Sequence, residues 1–232
     1  MKKKMSRILT WNIGSFVFLK YGKYFGFRTG NKDEYFRPDV NGDLVSKTIE
    51  KINPDFLYLQ EFWSPKDANQ IECLKKYPHK MFLDMWYRKK GVLIASKKPF
   101  SFKMINRIPI VNYKGCNIIP IHLNSYIAAK RFRQEAAIER VLPDLKGKEI
   151  LMGDTNLWEI KNIFLFSKDR QTYIKFTRSL TDISKKIEST NFFGFATDKV
   201  FASKDLKIGK ISSPRIRGSF MDHDLIYFDL EI

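Results

Sequence analysis

The sequence is short of cysteine, of acid and of long apolar runs. Its two cysteines, Cys73 and Cys116, have no ligand neighbour at C-x-x-C spacing and are too few for a disulfide framework. They read as small buried hydrophobes of a reducing compartment. No apolar run approaches the roughly 20 residues of a membrane-spanning helix. Repeats, low-complexity tracts and linkers are missing too, so one domain over residues 1–232 is expected. The start, Met1-Lys2-Lys3-Lys4, has the charge of a signal peptide, but no small-residue cleavage site follows. A cytoplasmic, monomeric protein is expected. The acid deficit is large: 42 basic residues face 25 acidic ones, a formal charge of +17. Such an excess calls for a polyanionic partner, nucleic acid first and an anionic membrane or phosphorylated small molecule second.

What is present alternates between strand and helix patterns. Residues 6–13 read as a first strand ending at Asn12. Residues 14–41 carry Phe16, Phe18, Tyr21, Tyr24, Phe25, Phe27, Tyr35 and Phe36 among Lys20, Lys23, Arg28, Lys32 and Arg37. Aromatics among cations suit base stacking beside phosphates, a lipid interface, or a long loop folded into the core. Residues 41–53 read as a helix stopped by Asn53-Pro54. Phe56-Leu57-Tyr58-Leu59 reads as a buried strand ending in Gln60-Glu61. A short helix is expected at 66–76, and strands at 81–87, 91–96, 100–108 and 115–121, the last running into His122. A helix over 127–142 places Phe132, Ala136, Ala137, Val141 and Leu142 inward, with Arg131 and Glu135 outward. The strand 149–152 then delivers Gly153-Asp154-Thr155-Asn156. A helix at 176–187 and strands at 198–203, 206–211 and 224–231 complete the chain.

Polar groups recur at the end or start of apolar strands: Asn12, Glu61, His122, Asp154, Asn156, Asp198, Asp222 and His223. Alone, each is ordinary. Gly-Asp-x-Asn is most often a plain turn, and Asp222-His223 a surface turn. Together, on strands in register, they can converge on one rim. Carboxylates with an amide offer hard oxygen ligands for Mg²⁺, or alternatively Mn²⁺. An Asp beside a His orients a general base. A metal and a second histidine can neutralise phosphoryl charge. The set describes in-line attack of water on a phosphate ester.

The blocks Leu9-Thr10-Trp11-Asn12-Ile13, Leu59-Gln60-Glu61, Ile121-His122-Leu123, Leu151-Met152-Gly153-Asp154-Thr155-Asn156, Thr197-Asp198-Lys199-Val200-Phe201 and Met221-Asp222-His223 resemble, in order, those of the endonuclease/exonuclease/phosphatase superfamily. Gly153-Asp154-Thr155-Asn156-Leu157 and His122-Leu123-Asn124-Ser125 look most like its tyrosyl-DNA 5′-phosphodiesterases. Arg131 and Gln134 match an Arg-x-x-Gln helix shared with sphingomyelinase-like members. The resemblance implies a DNase I-like fold, a four-layer α-β-β-α sandwich of two mostly antiparallel sheets. It implies Glu61, Asn12 and Asp222 as metal ligands, with His122, Asp154, Asn156, Asp198 and His223 as the catalytic set. Arg131, Trp158, Lys20, Lys23 and Arg28 are the expected substrate contacts. Four positions depart from the pattern: Gly14 where many nucleases carry an acid, Ile121 for threonine, Met221 for serine, and Glu159 after Trp158. A nuclease or DNA-end-processing phosphodiesterase is expected. A sphingomyelinase-like or inositol-phosphatase-like hydrolase at a membrane is the alternative. A non-catalytic nucleic-acid-binding module is a third reading, opposed by the retained polar strand ends.

Overall fold

Side chains alternate between two faces along a strand, and this period sets the architecture. The structure, a computed structural model, describes residues 5–14, 38–62, 71–84, 91–123, 128–145, 147–161, 163–191, 194–216 and 223–231. Six strands form the first sheet: β1 (Met5–Asn12), β2 (Phe56–Phe62), β3 (His79–Asp84), β4 (Gly91–Ser96), β13 (Ile208–Ser212) and β14 (Ile226–Glu231), in the order β13-β14-β1-β2-β4-β3. Six form the second: β5 (Ser101–Ile105), β6 (Ile108–Tyr113), β7 (Cys116–His122), β8 (Glu149–Asp154), β11 (Thr181–Asp182) and β12 (Asp198–Ala202), in the order β11-β12-β8-β7-β6-β5. A small hairpin, β9 (Glu159–Ile160) and β10 (Ile163–Phe164), stands apart. In each large sheet the central pair is parallel, β1 with β2 and β7 with β8. The other pairings are antiparallel.

The inner faces meet in an apolar layer that includes Ile8, Phe56, Tyr58, Ile94, Ile118, Ile150, Met152, Val200 and Phe228. Phe56 packs within 5.1 Å of Tyr113, ring to ring; truncating such a side chain costs about 3–5 kcal/mol. Helix α1 (Pro38–Ile52) lays Val45, Ile49 and Ile52, at helical spacing, against Leu9, Trp11, Leu57 and Leu59 on the outer face of the first sheet. Asn53 ends it in the left-handed region (φ 51°), its N–H donating to Ile49 O. Helices α2 (Ala128–Val141) and α3 (Ser167–Ser179) cover the second sheet through Ile138, Val141 and Phe176. The result is the expected four-layer α-β-β-α sandwich, the DNase I-like fold. Among the described residues no helix is long and apolar enough to cross a membrane.

Three expectations need correction. The strand expected at 100–108 is the hairpin of β5 and β6, turned by Asn106 and Arg107, both at positive φ. Paired left-handed residues suit the twist of a two-residue hairpin, but Arg107 gives no glycine signal for it. The helix expected at 176–187 is α3, nine residues earlier at its start. Its inward side carries Asp169 and Thr172 with Phe176, so an apolar stripe is missing. The helix expected at 66–76 is one 3₁₀ turn over Glu72–Lys76, with residues 63–70 outside the described set.

Candidate active site

The inward rows of five strands end in polar residues at one edge of the sandwich. On β1 the row is Ile8, Thr10, Asn12; on β2 Phe56, Tyr58, Gln60; on β7 Ile118, Pro120, His122; on β8 Ile150, Met152, Asp154; on β12 Ala202, Val200, Asp198. Register aligns the ends: Asn12 with Gln60, His122 with Asp154, and Asp154 with Asp198. The two sheets are tied across the rim by Asn12 Nδ2 donating to Asp154 Oδ2 at 3.2 Å. Period-two alternation alone thus carries these groups from the core to one place.

Glu61 reaches the rim differently. Gln60 pairs with Val92 and Phe62 with Gly91, so Glu61 is the extra residue of a β-bulge, at φ 62°. Bulges re-aim side chains beside active sites. Its Oε1 lies 3.5 Å from His122 Nε2. Gly14 explains its own departure from the family pattern. A Cβ there would lie 2.2 Å from Glu61 Oε2 and 3.1 Å from Asn12 Oδ1. Glycine therefore lets the backbone lie directly against the Glu61 carboxylate, while its N–H donates to Asn12 Oδ1 at 3.0 Å.

Asp154 is buried at the centre. Its Oδ1 accepts from Asn156 N at 2.9 Å, and its Oδ2 stands 3.8 Å from His122 Nε2 and 3.9 Å from His223 Nε2. Burial pushes its carboxyl up to about 6, helped by the charge of Asp198 and opposed by both histidines and the Asn156 N–H. His223 Nδ1 lies 2.7 Å from Asp198 Oδ2. A carboxylate only accepts, so Nδ1 carries the proton and a neutral ring turns its basic Nε2 toward Asp154. His223 is itself held by Trp11, whose indole N–H donates to His223 O at 3.1 Å.

Asn156 sits at φ 49° and donates one amide hydrogen to Leu123 O at 2.7 Å. Behind it lies Arg131, expected outward on its helix and as a substrate contact. Its side chain is instead only 9% exposed. It donates to Asn156 O at 3.1 Å and Asp169 Oδ1 at 2.5 Å. Glu135, also expected outward, is buried one turn on, its carboxyl raised chiefly by burial. The inward line of α2 is therefore Arg131, Glu135 and Ile138, because a buried ion pair supplies what an apolar stripe usually does. Trp158 is half-buried beside the rim, with its ring 4.7 Å from that of Phe195. Glu159, the departure after Trp158, is buried against Lys199 at 2.5 Å. Asp222, Lys20, Lys23 and Arg28 lie outside the described residues, as does nearly all of the aromatic-basic stretch.

Two residues that brace the rim carry no obvious signal in the sequence. Gln60 is fully buried, accepts from Asp154 N at 2.9 Å and donates to Thr10 Oγ1 at 3.1 Å. Thr190 Oγ1 receives Asp198 N at 2.9 Å. Only the alternation of β2 could have placed Gln60 inward.

The residues suit a hard divalent cation. Glu61 and Asn12 bring a carboxylate and an amide oxygen together beside Gly14, and carboxylate with amide is the chemistry Mg²⁺ and Mn²⁺ select. Asp154, Asp198 and His223 also offer ligand atoms within 4.8 Å of one another. There, however, Asp198 Oδ2 and His223 Nδ1 already pair with each other at 2.7 Å.

The sequence from residue 9 to 220 matches the Endonuclease/Exonuclease/phosphatase family, and the chain belongs to that family. No curated protein matches the sequence significantly. An AP endonuclease from Archaeoglobus fulgidus superposes with a TM-score of 0.72 at 15% identity, over 98% of this chain and 100% of that one. A 3′ phosphatase from Neisseria, bound to a product DNA hairpin, gives 0.71 at 18% identity, over 98% and 100%. A humanized D. rerio TDP2 gives 0.68 at 14% identity, over 98% and 99%. The shared fold at such low identity shows how strongly the architecture outlasts the sequence.

Proposed function

We propose that this member of the phosphoester-hydrolysing family is a divalent-metal-dependent phosphodiester hydrolase acting on nucleic acid, with DNA as the first substrate to test. One observation carries the reading: Asp154, raised to about 6, faces Nε2 of a histidine whose other nitrogen is fixed by Asp198. A base near neutrality is poised to take a proton from water at ordinary pH.

Glu61 and Asn12 would hold Mg²⁺ or Mn²⁺, with Asp222 as a further ligand; the ion supplies charge neutralisation at the phosphoryl oxygens. Asp154 orients the attacking water and takes its proton at a carboxylate oxygen. Asn156, locked by Leu123 and Arg131, holds the phosphate or that water with its remaining amide groups. His223, oriented by Asp198, contacts the phosphate through Nε2 or serves as a second base. His122 contacts phosphate or assists the leaving oxygen. Trp158, Lys20, Lys23 and Arg28 are proposed to bind the substrate, and the charge of +17 favours a polyanion. The protein works as a cytoplasmic monomer of one domain in this reading.

The test is a hydrolysis panel with and without Mg²⁺ or Mn²⁺: abasic, single- and double-stranded DNA, RNA, 5′-tyrosyl DNA, sphingomyelin and inositol phosphates. Metal-dependent cleavage of a nucleic acid is expected, with loss in Asp154→Ala and His223→Ala. Full activity in both variants sinks the catalytic assignment.

A second reading, hydrolysis at a lipid surface, is favoured by a specific feature. Just past Trp158, the β9–β10 hairpin and the start of α3 expose Ile163 (68%), Leu165 (48%) and Phe166 (55%), beside exposed Lys161, Lys168 and Arg170. Apolar tips among cations suit an anionic bilayer. Liposome co-sedimentation with headgroup release supports this reading, and no binding to anionic liposomes at low salt eliminates it.

A further inference from the structure

One layer beneath the rim, the inward row of β2 runs Phe56, Tyr58, Gln60. Phe56 packs among apolar side chains between the sheets, its ring 5.1 Å from that of Tyr113. Tyr58 adds a hydroxyl there. The side chain is fully buried, and the hydroxyl has no hydrogen-bond partner among the described residues. One oxygen of Asp198, Oδ1, is buried in the same condition. Its other oxygen is well used, accepting from Thr197 Oγ1 at 3.3 Å and pairing with His223 Nδ1 at 2.7 Å.

The two orphaned atoms belong to one locus. The Tyr58 ring crosses from the first sheet to the second, where its Cε1 would lie 2.9 Å from a Cβ on Gly153. The next residue along β8, Asp154, is paired in register with Asp198. Asp154 and Asp198 are also the two charges that, after burial, push the Tyr58 hydroxyl's ionisation upward. The phenol therefore stays protonated and acts as a donor. Buried polar groups are almost always paired, and ordered water is the usual partner when protein atoms do not meet directly.

We propose that Tyr58 is a positioning residue of this site: through one buried water its hydroxyl holds Oδ1 of Asp198, and so fixes the carboxylate that orients His223. The phenol donates to the water, and the water donates to Oδ1. With both oxygens anchored, the carboxylate resists rotation about its Cβ–Cγ bond, and its acceptor stays in line with His223 Nδ1. The kinetic consequence rests on the hydrolase reading; the structural one does not.

The test is Tyr58→Phe in the full chain, which keeps the ring and removes only the hydroxyl. In proton NMR the His223 Nδ1 proton, identified by its loss in His223→Ala, is expected downfield and slow to exchange, and to shift or broaden in Tyr58→Phe. With the substrate found in the panel, kcat falls about tenfold and KM is unchanged. In an Asp198→Asn background the same substitution changes kcat no further, because it acts through Asp198. A merely structural tyrosine would lower Tm and leave the proton and kcat as in the wild type, and that result overturns the proposal. Should Tyr58→Phe not fold, a high-resolution crystal structure of the wild type decides. Water within hydrogen-bond distance of both Tyr58 Oη and Asp198 Oδ1 supports the role, and its absence rejects it. Failure of the wild type to hydrolyse any ester would defeat the functional reading alone, since the NMR and crystallographic readouts need no turnover.

Discussion

Gly14 lies against the carboxylate of Glu61: a Cβ at residue 14 would come within 2.2 Å of Glu61 Oε2. Nothing larger than hydrogen fits while Glu61 keeps its place at the bulge. Gly14→Ala is therefore expected to turn the carboxylate aside with little effect on the core. The Mg²⁺ concentration for half-maximal hydrolysis should rise about tenfold or more. A metal titration of activity checks it, and an unchanged midpoint would remove Glu61 from the ligand set.

The Asp198–His223 pair predicts a loss confined to turnover. Asp198→Asn puts an amide opposite Nδ1 and lets the imidazole take the other tautomer. kcat should fall by roughly two to four orders of magnitude, with circular dichroism and KM close to wild type. A variant of wild-type kcat would show that the dyad is not used.

Asp154 predicts a pH dependence of stability. Its carboxyl is raised from an ordinary 3.8 to about 6 by folding. Between about pH 4 and 6 the folded chain therefore binds more protons than the unfolded one, and this group's contribution becomes less favourable as pH rises through that window. The cost is complete above about pH 6 and absent below about pH 4. Asp154→Asn removes the titration. In metal-free denaturant titrations, the stability difference between variant and wild type should shift in the variant's favour by on the order of 2 kcal/mol from pH 4 to pH 7. A difference independent of pH would contradict the raised carboxyl.

Arg131 is expected to matter for stability before it matters for binding. Arg131→Ala leaves buried Asp169 without its cation and Asn156 O without its donor. The loss should be about 3–5 kcal/mol, read by chemical denaturation. Nucleic-acid affinity, measured well below the lowered Tm, should keep its wild-type salt slope, since a lost phosphate contact would reduce that slope by about 1.

Much of the rim was legible because strands write a simple code. Asn12, His122 and Asp154 each end an apolar strand and Asp198 begins one, and period-two alternation delivers them inward without tertiary information. Gln60 obeys the same rule, but an amide at the end of a strand does not by itself announce burial. Other features depend on partners distant in sequence. Arg131 is buried by Asp169, 38 residues away, so its helix showed no apolar face to read. Helix α3 hid for the same reason, with Asp169 and Thr172 on its inner side. The bulge at Glu61 and the turn at Asn106-Arg107 use left-handed backbone without glycine, which leaves no mark in composition. Tyr58 looked like any aromatic in a buried strand; only the second sheet gives its hydroxyl a neighbourhood.

The parallel pairs at the centre of each sheet have a consequence for how such a protein can change. β1 and β2 run in one direction, as do β7 and β8, and all four arrive at the polar rim. The chain therefore leaves that edge past Gly14, Phe62, Leu123 and Asn156, the residues that still belong to the rim or its bulge. Extra chain inserted at these exits leaves every strand register intact, and doubling a flexible loop adds only about 0.6 kcal/mol of closure cost. The chain can thus lengthen, shorten or be exchanged at four ports, while the rim residues stay fixed by pairings that the insertions never touch.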